Sequence, residues 1–449
     1  MSTYLTRTTG TPTNAKKWTI SFWIKISAKF SEAEDVVYVG TDASNEVLLH
    51  RLETDGTLSS KEDTSAVNTV WRIGNQTTLF RDPNGWQHWV YSFDSTQSTD
   101  TDRLKVYING VNRRTVETLS NDTKVPLNHE AIINKSGYIF TLGRRTYNTD
   151  NYFKGSLAHV HFVDGIQYDA STFGETDSTS GIWKPKTSPS ISDYGNNGFF
   201  LKFENSAAMG TDSSGKGNNL TVNGTMTQLI DTPSNVYATL NPLLDTNNPM
   251  ILSNGNTTGT GSSSGTHRFS GSNICVSSGK YYYEVKVTKA GSSPYCGIID
   301  AQSNIRRNGV YFVASASGDN DSGYAVNMSG DIYHDNSSTY ATSIGSISTG
   351  DILGFAVDLD STQRTCTIYK NGASMRTFNI DAPSSGFYML GCCSSYNEAS
   401  AVAQFNFGNG YFGTTAITSA GSNGNGSLFE YNVPSGYYAL NTKNINTHG

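Results

Sequence analysis

Two strings, Leu104-Lys-Val-Tyr-Ile-Asn-Gly110 and Cys366-Thr-Ile-Tyr-Lys-Asn-Gly372, constrain this chain most. In each, an alternating apolar/polar strand runs into Asn-Gly, the dipeptide that tolerates positive φ at both central positions of a two-residue hairpin turn. A strand that reverses on itself belongs to an antiparallel sheet. The strings lie in differently patterned halves, so they predict two all-β units in tandem, each an antiparallel β-sandwich.

Composition agrees with that reading. The 449 residues suffice for two or three domains, each with its own core. Tyr (25), Phe (20) and Gly (44) suit pleated surfaces and tight turns, and only 16% of residues are charged. A net charge of −6 lacks the Lys/Arg field that a phosphate backbone needs, so nucleic acid is not an expected partner. No run approaches the roughly 20 apolar residues of a membrane helix. The first residues lack the basic-then-apolar layout of a secretory signal, so synthesis in the cytoplasm without membrane insertion is expected. The five cysteines are Cys275, Cys296, Cys366, Cys392 and Cys393. Their odd count, adjacent pair and lack of Cys-x-x-Cys fit neither a disulfide framework nor structural zinc. Buried free thiols are expected instead.

In the first half, Trp18, Ile20, Phe22, Ile24 and Ile26 alternate with Thr19, Ser21, Trp23 and Lys25, which predicts a strand with one buried face. A second strand follows the turn Asp82-Pro-Asn-Gly85, and segments 138–143 and 155–165 supply two more. Trp18-Thr-Ile-Ser-Phe-Trp-Ile-Lys25, Gly85-Trp-Gln-His-Trp-Val90, Val106-Tyr-Ile-Asn-Gly110 and Phe153-Lys-Gly-Ser-Leu-Ala158 together resemble the laminin-G / concanavalin-A-like lectin and glucanase superfamily over residues 1–230. Phe203-Glu-Asn-Ser and Asp212-Ser-Ser-Gly-Lys-Gly-Asn218 are similar to a phrase that opens such domains, yet here they close one. That implies a permuted strand order, with the late segment completing the same sandwich.

In the second half, Gly279-Lys-Tyr-Tyr-Tyr-Glu-Val-Lys-Val-Thr288 places Tyr281, Tyr283, Val285 and Val287 on one face. With Gly350-Asp-Ile-Leu-Gly-Phe355, Lys370-Asn-Gly372 and Asn406-Phe-Gly408, the set resembles the SPRY (B30.2-like) domain over about residues 236–415. The second unit is therefore set at 231–449, a SPRY-like domain with a C-terminal extension. Asn254 to Gly265, almost wholly Gly, Ser, Thr and Asn, is expected to be a flexible loop within it. Val433-Pro-Ser-Gly-Tyr-Tyr-Ala-Leu-Asn-Thr-Lys-Asn444 and the connecting phrase Asp231-Thr-Pro-Ser-Asn-Val-Tyr-Ala-Thr-Leu-Asn-Pro242 resemble structural proteins of tailed, particularly marine, bacteriophages. The resemblance implies localisation to a virion. No heptads or helical repeats occur.

Chemistry is weakly signalled. The glucanase pattern Glu-x-Asp-x-x-Glu, which the first resemblance would require of an enzyme, needs converging carboxylates. Glu53-Thr-Asp55 and Glu175-Thr-Asp177 begin it, but Leu58 and Ser180 stand where the second Glu is needed. His159 and His161 share one side of a strand at metal-ligand spacing, yet without a nearby carboxylate they are expected to be an outward pair on the sheet surface. Asp319-Asn-Asp-Ser-Gly323 resembles part of a calcium loop but lacks its bidentate Glu and is read as a turn. Asp358 and Asp360 are read as orienting the loop that follows them. Phosphate loop and nucleophile elbow are both absent, so no catalytic residue, metal or cofactor is expected.

Binding is the reading that survives. Sugar recognition pairs aromatic platforms with planar polar groups on exposed loops. The candidates are Tyr147, Asn148, Asp150 and Tyr152 in the first unit, and Arg306, Arg307, Tyr333, His334 and Tyr396 in the second. The leading expectation is a non-enzymatic phage structural or adhesion protein: a tail-fibre, head-fibre or decoration component. Its partners would be other virion proteins, host-surface glycan and copies of itself in a homo-oligomer. The alternatives are a lectin with no virion role and a polysaccharide-degrading glycoside hydrolase.

Overall fold

Both Asn-Gly strings form hairpins. Asn109 and Gly110 have φ of 48° and 85°, and Asn371 and Gly372 have 49° and 81°, the paired positive values of a type I′ turn. The turns bring Ile108 opposite Val111 and Lys370 opposite Ala373. The computed structural model describes residues 3–27, 32–74, 78–116, 119–147, 151–244, 248–263, 265, 267–302, 323–334 and 337–449. The chain divides into two compact units, Met1–Gln228 and Leu229–Gly449.

The first unit stacks two antiparallel sheets. The larger runs Ser120–Thr123, Val67–Gly74, Leu58–Thr64, Asn45–Leu52, Glu34–Asp42, Ile139–Leu142, Tyr4–Thr8, Thr221–Asn223. The smaller runs Phe199–Leu201, Gly155–Asp164, Lys17–Ile26, Gln87–Asp94, Leu104–Ile108, Val111–Asn112. The late segment thus adds an edge strand to each sheet. Leu5, Val37, Val39, Phe140 and Leu142 of one sheet meet Trp18, Ile20, Phe22, Tyr91 and Phe162 of the other in one core. Alternation on each strand, at a period of two, is what turns those side chains inward.

The Lys17–Ile26 strand departs from expectation: from Trp18 on, both of its faces are buried. Its outer face lies under segment 166–194, where Ile166, Tyr168, Ala170, Phe173, Trp183 and Tyr194 pack over Val90 and Val163. The hydroxyl of Thr19 fastens this cover, donating to the Ile166 carbonyl (2.9 Å) and accepting from the Tyr168 amide (2.8 Å).

The second unit repeats the plan. One sheet runs Ile251–Ser253, Thr258–Thr260, Val402–Asn406, Lys280–Thr288, Ile352–Asp358, Thr365–Lys370, Ala373–Asn379. The other runs His267–Ser270, Tyr388–Tyr396, Tyr295–Asp300, Tyr324–Val326, Ile332–His334, Ser337–Ala341. Tyr281, Tyr283, Val285 and Val287 all face the core between them, as the alternation predicts. Tyr282 faces outward under Phe429, Val433 and Ala439 of the C-terminal segment. That segment adds a short parallel strand, Tyr438–Ala439, beside Lys280–Thr288. It ends in a helix, Thr442–His448, whose first turn is capped by the Asn441 side chain.

Two further expectations are corrected. Thr258–Thr260, read as flexible loop, is a strand paired with both Ile251–Ser253 and Val402–Asn406. Backbone ladders hold it, so its lack of apolar side chains carried no warning. Four cysteines are buried, but Cys275 is exposed on a two-residue strand, and none forms a disulfide. Burial pushes the Cys296, Cys366 and Cys393 thiols well above the usual range.

Candidate binding site

On the face of the eight-stranded sheet turned away from the core, Thr6, Thr141 and Tyr38 stand in register on three neighbouring strands. Farther across, Glu46 pairs with Asp63, and Lys61 with Arg72. Polar residues at these alternate positions stay out of the apolar core that Leu5, Leu142 and Val39 fill, yet Tyr38, Thr141, Glu46 and Asp63 are themselves buried. Two of the predicted site residues, Tyr147 and Tyr152, follow the Ile139–Leu142 strand and contact residues of this sheet. Tyr147 is 39% exposed, sits edge-on to Tyr38 (5.7 Å), accepts from Arg145 (2.8 Å) and donates to Glu46 (2.9 Å). Tyr152 accepts a hydrogen bond from Arg144 (2.9 Å) and bridges to Asp35 through the backbone. Asn148 and Asp150 lie outside the described residues, as do Arg306 and Arg307.

Buried charge organises this face. Asp35 is fully buried and pairs with Arg145 Nε (3.0 Å) and more distantly with Arg51 (3.6 Å). Burial outweighs both arginines and pushes its carboxyl up to about 6. Glu34 beside it accepts from the Lys154 amide, and burial still pushes it up to about 7. Glu46, also buried, is neutralised by Lys61 (2.8 Å). The Tyr147 hydroxyl is pushed up to about 12, chiefly by burial, so it remains a donor. Nothing in the sequence alone pointed to Asp35, Glu46 and Arg145, because they come from three separate segments.

The second-unit candidates divide. Tyr396 and Tyr333 fall on one face of the second sheet. Register carries that face from Tyr396 and Ser394 through Tyr295 and Gly297 to Ala325 and Tyr333. Tyr396 is 48% exposed and stacks on His267 (4.4 Å), while Tyr333 sits edge-on to Tyr295 (5.5 Å). His334, expected in an exposed loop, is a buried strand residue on the opposite face. Its ring stacks on Tyr324 (4.0 Å) and its Nδ1 bonds the Gly323 carbonyl (3.0 Å). Strand alternation makes the neighbours Tyr333 and His334 point opposite ways.

The histidine pair is also corrected. His161 is buried under the 166–200 segment, stacked on Phe200 (3.8 Å) and bonded to the Tyr194 hydroxyl (2.8 Å). A bulge at His159 (φ 47°) breaks the regular alternation on which the outward-pair reading relied. Among the described residues, no group of three or more His, Cys, Asp or Glu is placed to hold a metal.

Two arrangements resemble catalytic ones and are wired otherwise. Ser21 Oγ lies 2.8 Å from His88 Nε2, the spacing of a nucleophile and its base. But Trp183 Nε1, which can only donate, bonds His88 Nδ1 (2.9 Å). The neutral ring therefore carries its proton on Nε2 and donates to Ser21, and burial holds His88 down to about 3. The carboxylate strings are equally occupied. Glu53 pairs with Arg51 (3.1 Å) and Asp55 closes a turn on Thr57. Asp177 closes another turn and pairs with Lys184 (2.8 Å), which also reaches Glu175 (3.7 Å). Asp358 orients its own loop through Asp360 and Ser361, whereas Asp360 accepts from the Gly279 amide across the sheet.

The fold defines a tandem β-sandwich protein. Residues 2–167 match the concanavalin A-like lectin/glucanases superfamily, and residues 280–410 match the SPRY domain. No curated protein matches the chain. Among solved structures, the SPRY domain of human HERC1 is 18% identical, covering 35% of this chain and 91% of that one, with a TM-score of 0.27. A heptameric SAP-like pentraxin from Limulus polyphemus is 14% identical, covering 37% and 72%, with a TM-score of 0.26. Domain 4 of the extracellular arabinanase AbnA from Geobacillus stearothermophilus, in complex with arabinotriose, is 19% identical, covering 34% and 63%, with a TM-score of 0.24.

Proposed function

We propose that this chain is a non-enzymatic structural and adhesion component of a bacteriophage particle, in a tail fibre, head fibre or decoration, that contacts host-surface glycan or neighbouring virion proteins as a homo-oligomer. The observation that carries the binding half is the fixed presentation of Tyr147. Its hydroxyl is held between Arg145 and Glu46 and its ring rests on Tyr38, so an exposed aromatic plane is offered at little ordering cost. The occupied carboxylates and the donor role of His88 Nε2 support a non-enzymatic reading. The virion assignment rests on the resemblance of the 231–242 and 433–444 segments to phage structural proteins.

Mass spectrometry of purified particles and light scattering of the isolated chain test the assignment. A symmetric oligomer incorporated in particles is expected, and a monomer absent from them overturns it. The match of residues 2–167 to a lectin/glucanase superfamily favours one second reading, a lectin with no virion role. Selective binding on a glycan array by a chain that no particle contains would establish that reading. Release of reducing ends from polysaccharide would establish a hydrolase instead.

A further inference from the structure

Two successive arginines follow the Ile139–Leu142 strand, and the fold treats them differently. Arg145 is neutralised by Asp35 and lies near Glu46 (4.0 Å). Arg144 has no carboxylate partner among the described residues. Its guanidinium lies 3.6 Å from the centre of the Tyr4 ring and 5.6 Å from that of Tyr152, and Nη1 donates to the Tyr152 hydroxyl. Nε is enclosed without a partner. Stacking between tyrosines and one hydroxyl contact orient the planar fork, with no carboxylate among the described residues to compensate its charge. Arg145, by contrast, meets an acid of its own chain, and Arg103 bonds three backbone carbonyls, whereas Arg144 bonds a single hydroxyl among the described residues.

We propose that Arg144 anchors a site for an anionic polysaccharide, its guanidinium receiving a carboxylate or sulfate oxygen while Tyr147, three residues on, offers a plane for a sugar ring. This rests on the glycan-binding reading above and adds the ligand's charge. The chemistry is that of charge-assisted, planar recognition of an oxyanion, strengthened because the tyrosines shield one side of the cation from water. The net charge of −6 repels polyanions at long range. Attraction is therefore local, and affinity depends on one oriented contact.

Titration calorimetry on the full chain tests this with three oligosaccharides of equal length: neutral galactan, sulfated galactan and galacturonan. Preference for one or both anionic oligomers over the neutral one, by about tenfold or more, is expected. The arm that binds identifies sulfate or carboxylate. Arg144→Gln should abolish the preference in a chain that still folds cooperatively with an unchanged circular-dichroism spectrum, and Arg144→Lys should restore only part of it. Tyr147→Ala should weaken every bound oligomer by a similar factor. Equal binding of the neutral oligomer, or a preference that survives Arg144→Gln, overturns the proposal while glycan binding itself stands. Failure of any glycan to bind, on these probes and on a broad array, overturns both.

Discussion

The two Asn-Gly hairpins are wired alike, and the covers above them are not. In each turn the Asn amide and side chain both bond the start of the adjacent strand. Asn109 N–H donates to the His88 carbonyl and its Oδ1 accepts from the His88 amide; Asn371 does the same with Ile352. In each, the turn glycine lies beneath an aromatic residue of the covering segment. A Cβ on Gly110 would stand 2.7 Å from Trp183, and one on Gly372 would stand 2.6 Å from Tyr431. The polar group under each cover differs. In the first unit it is the neutral ring of His88, bonded to Trp183 and Ser21. In the second it is Glu284, which accepts from the Glu430 and Tyr431 amides (2.9 Å each), Asn406 (3.2 Å) and Tyr282 (3.2 Å). A shared turn thus fixes the sheet edge, while the outer layer is fastened by whatever polar group the opposing backbone can satisfy.

The sharpest way to break this comparison is to remove the carboxylate. Glu284→Ala leaves two backbone N–H groups without an acceptor and should cost about 4 kcal/mol in the second unit alone. Hydrogen exchange by peptide on the intact chain reads each unit separately; equal loss in both would refute independent covers. Gly110→Ala and Gly372→Ala should each cost about 2–3 kcal/mol, from positive φ plus overlap with the covering ring. Similar values would confirm that the hairpins are equivalent, and a nearly silent substitution would show that its ring yields.

The anchors should give opposite pH responses. Burial raises Glu284 to about 7, so between about 4.5 and 7 the folded state holds a proton that the unfolded chain has released. Its contribution is present below about 4.5 and is lost as pH rises through 7. His88 is lowered to about 3, so between 6.5 and 3 the unfolded chain binds a proton that the fold refuses. Its contribution is present above 6.5 and is lost as pH falls. Other buried groups add to both profiles, Glu34 and Asp35 among them, so wild type minus variant is the useful quantity. Glu284→Gln and His88→Gln should each change the slope of one unit, with opposite signs, by about 1 kcal/mol per pH unit within the window. The smallest effect is expected from Asn109→Gly and Asn371→Gly, which keep the turn and remove one side-chain acceptor. About 1 kcal/mol each, read by the same exchange measurement, would place the Asn contact at equal strength in both units.

Local pattern carried much of this fold. The hairpins, the inward set Tyr281, Tyr283, Val285 and Val287, and the core side of the Trp18–Ile26 strand follow from a period of two and from Asn-Gly turns. The errors share a cause. Thr19, Ser21 and Trp23 read as solvent-facing because the segment that buries them begins some 140 residues later, at Ile166. Regular alternation puts His161 at the surface and a predicted loop puts His334 there, yet each is a ring stacked on another ring. Of the candidate site, the exposed tyrosines were legible as aromatic residues in a polar loop. The buried acids that orient Tyr147 were not.

From the sequence alone came the number of units, their sheet character, the turn positions and the inward faces, because each depends on neighbours within a few residues. Tertiary structure decided which outer faces are sealed, which way His88 points its proton, and that of two adjacent arginines it is Arg145 that meets Asp35. These depend on where distant backbone donors and carboxylates arrive, and a period-two pattern carries no information about that.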